Sequence, residues 1–457
     1  MHNAVFCSLW RRLLGGALLS TLLLGCAQQP AVQQPKAQQP KVLQQQQSQP
    51  QQQPDPSGRV LYISALDSGA WQVVDPNWIP GTRSPQAVLN WPMTSGTVLQ
   101  KTATNKSARA ELDGGWITFR LSNWPAGLEI TQWDDTKANV LMENGTLSVR
   151  VRYLQPGQKV NIKLDVGSLS IDQPGEYRVD FANAMPRRVT VRAGAVKLQS
   201  EGINKSSVLV AAGHQATINF DGTIKIVRGA PVHDAFDRWV AARDALQDRS
   251  ASAAYVSRDM PGYQALDGHG NWARNPTYGA VWYPKVRSGW KPYSDGYWGW
   301  LDPWGWTWVD AEPWGFAPFH YGRWTQIKHR WAWVPGPKNA QLVYAPALVG
   351  LAGDNKCSST PAKAWFALAP GEYWQPAYRA SDAYFTRLMG NNRRPAGGNY
   401  RFQSSALVNA HADSTCGTAA NSTLSIFPDN VGVDISPTVD TGYADLEHSS
   451  HKRSQRQ

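Results

Sequence analysis

Twelve tryptophans crowd into the 62 positions from Trp272 to Trp333, and they are not scattered. Gly270-Asn271-Trp272, Gly296-Tyr297-Trp298 and Gly322-Arg323-Trp324 recur 26 residues apart. Trp306-Thr307-Trp308-Val309 returns 25 residues later as Trp331-Ala332-Trp333-Val334, and the first unit offers Val281-Trp282-Tyr283-Pro284. The period predicts a β-repeat of a Gly-x-Trp strand, a turn and a Trp-x-Trp-Val strand. Alternate strand residues share a face, so Trp298 goes with Trp300 and Trp306 with Trp308. Asp302-Pro303-Trp304-Gly305 reads as the turn between them. A unit this short and rich in Gly and Pro has little else to bury. Each indole hides roughly 150–250 Å², at most about 4–6 kcal/mol at 25 cal/mol/Å². Most of the rings are therefore core. About two to four left exposed would make a stacking platform for sugar rings, nucleobases or Pro-rich peptide. The candidate binding residues are Trp298, Trp300 and Trp324, with Arg323 beside Trp324 and His320 between Phe319 and Tyr321.

Composition removes the main alternatives. The chain has 457 residues, enough for two to four domains. With 39 Gly and 31 Pro and only 17% charged residues it does not suit a coiled coil or helical repeat. With 42% apolar residues it does not suit full disorder.

Residues 58–229 read as a β domain. Ala108 to Leu112 meets Asp113-Gly114-Gly115, a hairpin signal, and Trp116 to Leu121 comes next. Leu147 to Arg152, Tyr177 to Phe181, Val189 to Val191 and Ala216 to Phe220 alternate. Turns are expected at Glu143-Asn144-Gly145, Gln155-Pro156-Gly157, Gln173-Pro174-Gly175 and Asp221-Gly222. Such spacing predicts an antiparallel sandwich or jelly-roll. Residues 230–255 predict one connecting helix, capped by Asp234, with Phe236, Trp239, Val240 and Leu246 as its apolar stripe. Arg238, Arg243, Asp244 and Asp248 fall on its polar side. The Trp-rich unit takes residues 256–380, and 381–457 reads as a flexible tail ending in Lys452-Arg453-Ser454-Gln455-Arg456.

Arg11 and Arg12 precede an apolar run from Leu13 to Gly25 that is too short to span a bilayer and reads as a signal peptide over residues 1–25. The run ends in Leu23-Leu24-Gly25-Cys26, which resembles a bacterial lipobox. The resemblance implies that Cys26 becomes the lipidated first residue, anchoring the chain to a membrane. Ala27 in place of Asp then leans toward the periplasmic face of the outer membrane. Residues 26–57, Gln- and Pro-rich, read as a tether of up to roughly 95 Å. Cys357 and Cys416 remain, and in an oxidising compartment they are expected to form a disulfide worth roughly 4 kcal/mol.

Two longer stretches also carry resemblances. The segments GTVLQKTATNKSARAELDGGWITFRLS (96–122), MENGTLSVRVR (142–152), IDQPGEYRVD (171–180), VTVRAGAVKL (189–198) and VLVAAGHQATI (208–218) resemble a FecR-type periplasmic domain. That family's cytoplasmic anti-sigma segment and transmembrane helix are not recognised here, which weakens a transcription-signalling reading. The segments AFDRWVAARD (235–244), AYVSRDMPGYQALDGHGNW (254–272), PWGFAPFHYGRW (313–324), RWAWVPGP (330–337), VYAPALVG (343–350) and AWFALAPGEYWQPAY (364–378) resemble a Trp-rich domain of unknown function that follows FecR-like domains in bacterial envelope proteins. The resemblance implies an architecture and leaves the activity open.

The chain carries no HExxH, GxSxG, P-loop or Cys/His metal spacing, so neither an enzyme, a metal site nor a cofactor is expected. Asp310 and Glu312 are read as solvated turn charges. The expected function is a non-enzymatic envelope module that binds an envelope protein or cell-wall glycan. A FecR-type sensor that contacts an outer-membrane receptor or inner-membrane regulator is the alternative. A net charge of +11, or +9 once Arg11 and Arg12 leave, favours anionic polymer such as peptidoglycan. An exported chain is not expected to meet nucleic acid. The sequence leaves the oligomeric state open.

Overall fold

The computed structural model describes residues 55–74, 86–102, 107–182, 184–229, 233–352, 364–374, 376, 378–393 and 399–408, all within one compact unit, Gln53–Gln457. The expected signal peptide, nearly all of the tether, Cys26, Cys357, Cys416 and the basic end lie outside the described residues. The fold is mainly β and the sheets are predominantly antiparallel.

The first fifteen strands form one hydrogen-bonded ladder folded into two faces. They run β1 (Leu61–Leu66), β2 (Trp71–Val74), β3 (Pro92–Met93), β4 (Val98–Lys101), β5 (Ala110–Asp113), β6 (Ile117–Trp133) and β7 (Lys137–Val151). Then come β8 (Lys159–Leu164), β9 (Gly167–Ile171), β10 (Gly175–Phe181), β11 (Arg187–Ala193), β12 (Ala195–Ser200), β13 (Ser207–Ala211), β14 (His214–Ile218) and β15 (Ile224–Arg228). The long strands β6 and β7 belong to both faces. In its first half β6 pairs β5 and the second half of β7, which pairs β10. In its second half β6 pairs β4 and the first half of β7, which pairs β8 in parallel. The crossing point is a bulge: Asn123 to Ala126 of β6 face Gly145 alone on β7. Here the expected turn at Glu143-Asn144-Gly145 is corrected, because it lies inside β7. Gly145 has φ +98°, and a Cβ there would sit 2.7 Å from the Ala126 side chain, so glycine lets the strand bend instead of reverse. The other three expected turns connect strands as read. Period-2 alternation places Ala138, Val140, Met142, Val160, Ile162, Leu164, Leu169 and Ile171 inside, sharing one core with Phe119, Leu121, Leu147, Val149, Val179 and Val189.

The outer face formed by the first half of β6, the second half of β7, β10 and β11 is covered by α1 (Ala235–Arg249). Its cap is the one expected, Asp234, which accepts from the Asp237 amide at 2.8 Å, and Asp237 completes a capping box by accepting from the Asp234 amide. Its docking face is the expected one only in part: Phe236 is buried and Trp239 and Val240 half-buried, but Leu246 is exposed, and Asp244 and Asp248, read as polar-side residues, pair with arginines of the sheet. Arg178 pairs with Asp234 at 2.8 Å and Asp237 at 2.9 Å, and Arg192 with Asp237 at 2.8 Å. Arg120, fully buried, pairs with Glu111 at 2.6 Å and Asp244 at 2.9 Å. Arg150 holds Asp244 and Asp248, and Arg243 of the helix returns to Glu111 at 2.6 Å. Burial alone would raise the Glu111 carboxyl, but Arg243 and Arg120 hold it well below the usual carboxylate range.

After α1 come three tryptophan hairpins: β16 (Gly270–Asn275) with β17 (Gly279–Pro284), β18 (Gly296–Leu301) with β19 (Gly305–Asp310), and, after α2 (Phe316–His320), β20 (Arg323–Ile327) with β21 (Arg330–Val334). The first and third join through Trp282 opposite Trp333 into a four-stranded sheet. A further sheet contains β22 (Val349–Ala352), β23 (Ala364–Ala367) and, after α3 (Asp382–Met389), β24 (Leu407–Val408). The reading of 381–457 as flexible tail is thus corrected for its described part. Tyr384, Met389 and Phe402 are buried, and the last two share a core with Phe366, Leu368 and Trp374. Ser381 caps α3 and is itself held by the Asp55 carboxylate at 2.6 and 2.7 Å. Among the described residues no helix is long and apolar enough to cross a membrane.

The buried Glu111 accepts from both Arg120 and Arg243, so its removal leaves Arg243 without a carboxylate and Arg120 with Asp244 alone. Glu111→Ala should cost about 3–5 kcal/mol, read as a lowered urea midpoint. A change below about 1 kcal/mol would show that solvent already screens the network.

Candidate functional site

The hairpins explain the repeat residue by residue. Each Gly-x-Trp tryptophan faces one on the partner strand: Trp272 opposite Trp282, Trp298 opposite Trp308, Trp324 opposite Trp333. The glycine two residues earlier lies diagonally under the partner's indole. A Cβ on Gly270 would fall 2.3 Å from the Trp282 ring, one on Gly296 2.6 Å from Trp308, and one on Gly322 2.7 Å from Trp333 Nε1. Only a residue without a side chain admits that approach. Edge-to-face contacts extend the packing, with Trp298–Trp308 and Trp298–Trp365 both at 5.5 Å and Trp290–Trp324 also at 5.5 Å. The core continues into the sandwich, where Tyr62 of β1 stacks on Phe316 of α2 at 3.8 Å.

This packing corrects most of the expected binding surface. Trp298 and Trp324 are buried, and the Trp324 Nε1 donates to the Pro318 carbonyl at 3.1 Å. Their repeat position faces the core because it carries the cross-strand pair. Arg323 is buried too; it donates to the Gly322 carbonyl at 2.8 Å, and burial lowers its guanidinium to about 10. His320 is a buried member of the aromatic layer. Its Nδ1 lies 2.8 Å from the Ala345 carbonyl oxygen, its ring stacks on Tyr344 at 4.9 Å, and burial lowers its pKa to about 4. Asp310 is buried as well, contrary to the solvated-turn reading. Its carboxylate accepts from Trp308 Nε1 and the Glu312 amide, both at 3.0 Å, and burial pushes it well above the carboxylate range. Asn90 of the sandwich donates to the Asp310 and Glu312 carbonyls at 2.9 and 2.8 Å.

Among the described tryptophans only Trp300 is exposed, at 50%. It stands at the tip of the β18–β19 hairpin, opposite Trp306, whose ring meets it edge-to-face at 5.6 Å and 89°. Its Nε1 donates to the Asp302 carboxylate at 3.0 Å. The indole is thus held at two places with its polar atom spent, and it offers solvent a π surface beside a carboxylate. The partners Trp306 and Asp302 were not among the expected site residues, although the alternation that pairs Trp300 with a Trp-x-Trp strand carried the signal. Among the described residues no group of three or more His, Cys, Asp or Glu could hold a metal ion.

Comparison with known proteins finds one family model that matches part of the chain. The family described as "Family of unknown function (DUF6600)" matches residues 263–372, a span that holds the Trp-rich hairpins together with β22 and β23. No curated protein matches the chain. Among solved structures, two of a "putative anti-sigma factor from Parabacteroides distasonis ATCC 8503" are similar at 16% identity. Each match covers 28% of this chain and 59% or 55% of the other, with TM-scores of 0.24 and 0.20. The chain therefore spans less than two thirds of those proteins, and scores this low support no conclusion about it.

The packing makes two outcomes testable. Gly296→Ala pushes a methyl into the Trp308 ring and the Val309 carbonyl; it should destabilise by about 1–3 kcal/mol in urea unfolding. His320 has a folded pKa of about 4 against an ordinary 6.5, so the unfolded chain takes up its proton first. Its contribution is complete above about pH 6.5 and is lost as pH falls toward 4, by at most about 3 kcal/mol. His320→Gln should flatten the fall in urea midpoint over that window; an unchanged slope would remove His320 as its source.

Proposed function

We propose that the chain is a non-enzymatic binding module of the bacterial cell envelope. In this reading the sandwich is a FecR-like domain, the Trp-rich unit is the binding head, and a lipid on Cys26 holds both at the periplasmic face of the outer membrane. The observation that carries it is the exposed Trp300, fixed by Trp306 and Asp302 in a unit whose other described tryptophans are buried or half-buried. An immobilised flat ring loses little entropy on stacking, and an adjacent carboxylate accepts from hydroxyl groups. Those two features suit the C–H face and hydroxyl edge of a neutral sugar ring in cell-wall glycan. The net positive charge adds attraction to the polymer as a whole.

Purified sacculi should co-sediment with the full chain, and Trp300→Ala should weaken that binding about tenfold or more while leaving the urea midpoint in place. Equal binding by the two chains would overturn the glycan reading. Crosslinking in cells that recovers a receptor or regulator protein instead of wall fragments would favour the FecR-type sensor.

A further inference from the structure

Loops at one end of the sandwich carry apolar side chains outward. Met185 in the β10–β11 loop is 56% exposed, Ile203 in the β12–β13 loop 94%, and Phe220 in the β14–β15 loop 55%. Single exposed apolar residues are ordinary. Three on neighbouring loops, each tied down, are not. Arg187 donates to the Met185 carbonyl, pairs with Asp165 and lays its guanidinium 5.1 Å from the centre of the Phe220 ring. The Asn204 amide donates to the Asp221 carbonyl at 2.9 Å, and Ser200 Oγ to the Gly222 carbonyl at 2.6 Å, joining the second loop to the third. The tips are therefore displayed together by a braced frame.

The charges around them are mainly positive. Arg188, Lys205 and Lys225 make no ion pair among the described residues. Of the acids at this end, Asp165 is paired by Arg187 and Glu201 by Lys163, while Asp221 keeps its charge and accepts from Thr223 and Asn204. We propose that this end docks on an anionic lipid bilayer, with Met185, Ile203 and Phe220 entering the interface and Arg188, Lys205 and Lys225 meeting the headgroups. A second copy of the chain is disfavoured as occupant, because a symmetric contact would bring the three cations against themselves.

The test uses the full chain with Cys26→Ser, so that no acyl chain reports in place of the loops. Amide exchange is followed by mass spectrometry with and without vesicles of phosphatidylcholine and phosphatidylglycerol at 3:1. Backbone amides of the three loops should slow severalfold with these vesicles and not with phosphatidylcholine alone. Replacing Met185, Ile203 and Phe220 together by Ser should lower vesicle partition roughly tenfold or more. Unchanged exchange in the loops overturns the proposal, as does equal partition of the two chains. Slowing of the loops by lipid-free envelope protein assigns them to a protein partner and overturns it as well.

Discussion

The Trp-rich unit depends on one contact: an indole lying flat on a strand backbone where a glycine leaves room. In Gly270, Gly296 and Gly322 a hydrogen stands where a methyl would collide with the ring of Trp282, Trp308 or Trp333. The contact fixes register, because the glycine must sit diagonally opposite the ring, and it fixes the face, because the paired tryptophans then share one side. Hairpins of this size are marginal alone. Stacking their tryptophan faces together, and against Tyr62 of the sandwich, supplies the burial that none has by itself.

The sandwich is covered differently. The face under α1 presents Arg120, Arg150, Arg178 and Arg192, one each from β6, β7, β10 and β11, at positions ordinarily turned to water. Here α1 lies over them, and its carboxylates recur along one side at Asp234, Asp237, Asp244 and Asp248. Buried ion pairs of this kind add little net stability over an apolar interface, yet they are costly to half-remove. Their effect is selective: the helix can settle only where acid meets base, which sets its placement above the sheet.

Much of this was legible beforehand. Period-2 alternation located strands such as Leu147 to Val151 and Tyr177 to Phe181, and the 26-residue period announced the tryptophan hairpins. The misreadings share a cause. Asn144-Gly145 has the composition of a turn, but its neighbour across the ladder decides whether a glycine reverses a strand or bends it. Residues 381–408 carry few bulky apolar side chains in the sequence, and Met389 and Phe402 become core only where Phe366, Leu368 and Trp374 meet them.

For the candidate site the division is sharper. The residue types were determined locally: tryptophans in alternation, a glycine before each, carboxylates near a hairpin tip. Trp298 and Trp300 alternate onto one strand face and both lie opposite a tryptophan, so alternation alone does not separate the buried ring from the exposed one. Tertiary packing made that choice. Trp298 meets Trp308 and Trp365, Trp324 meets Trp290 and Phe319, and Trp300 meets Trp306 and Asp302 of its own hairpin. Burial is a property of what arrives from distant parts of the chain, and alternation along a strand carries no record of it.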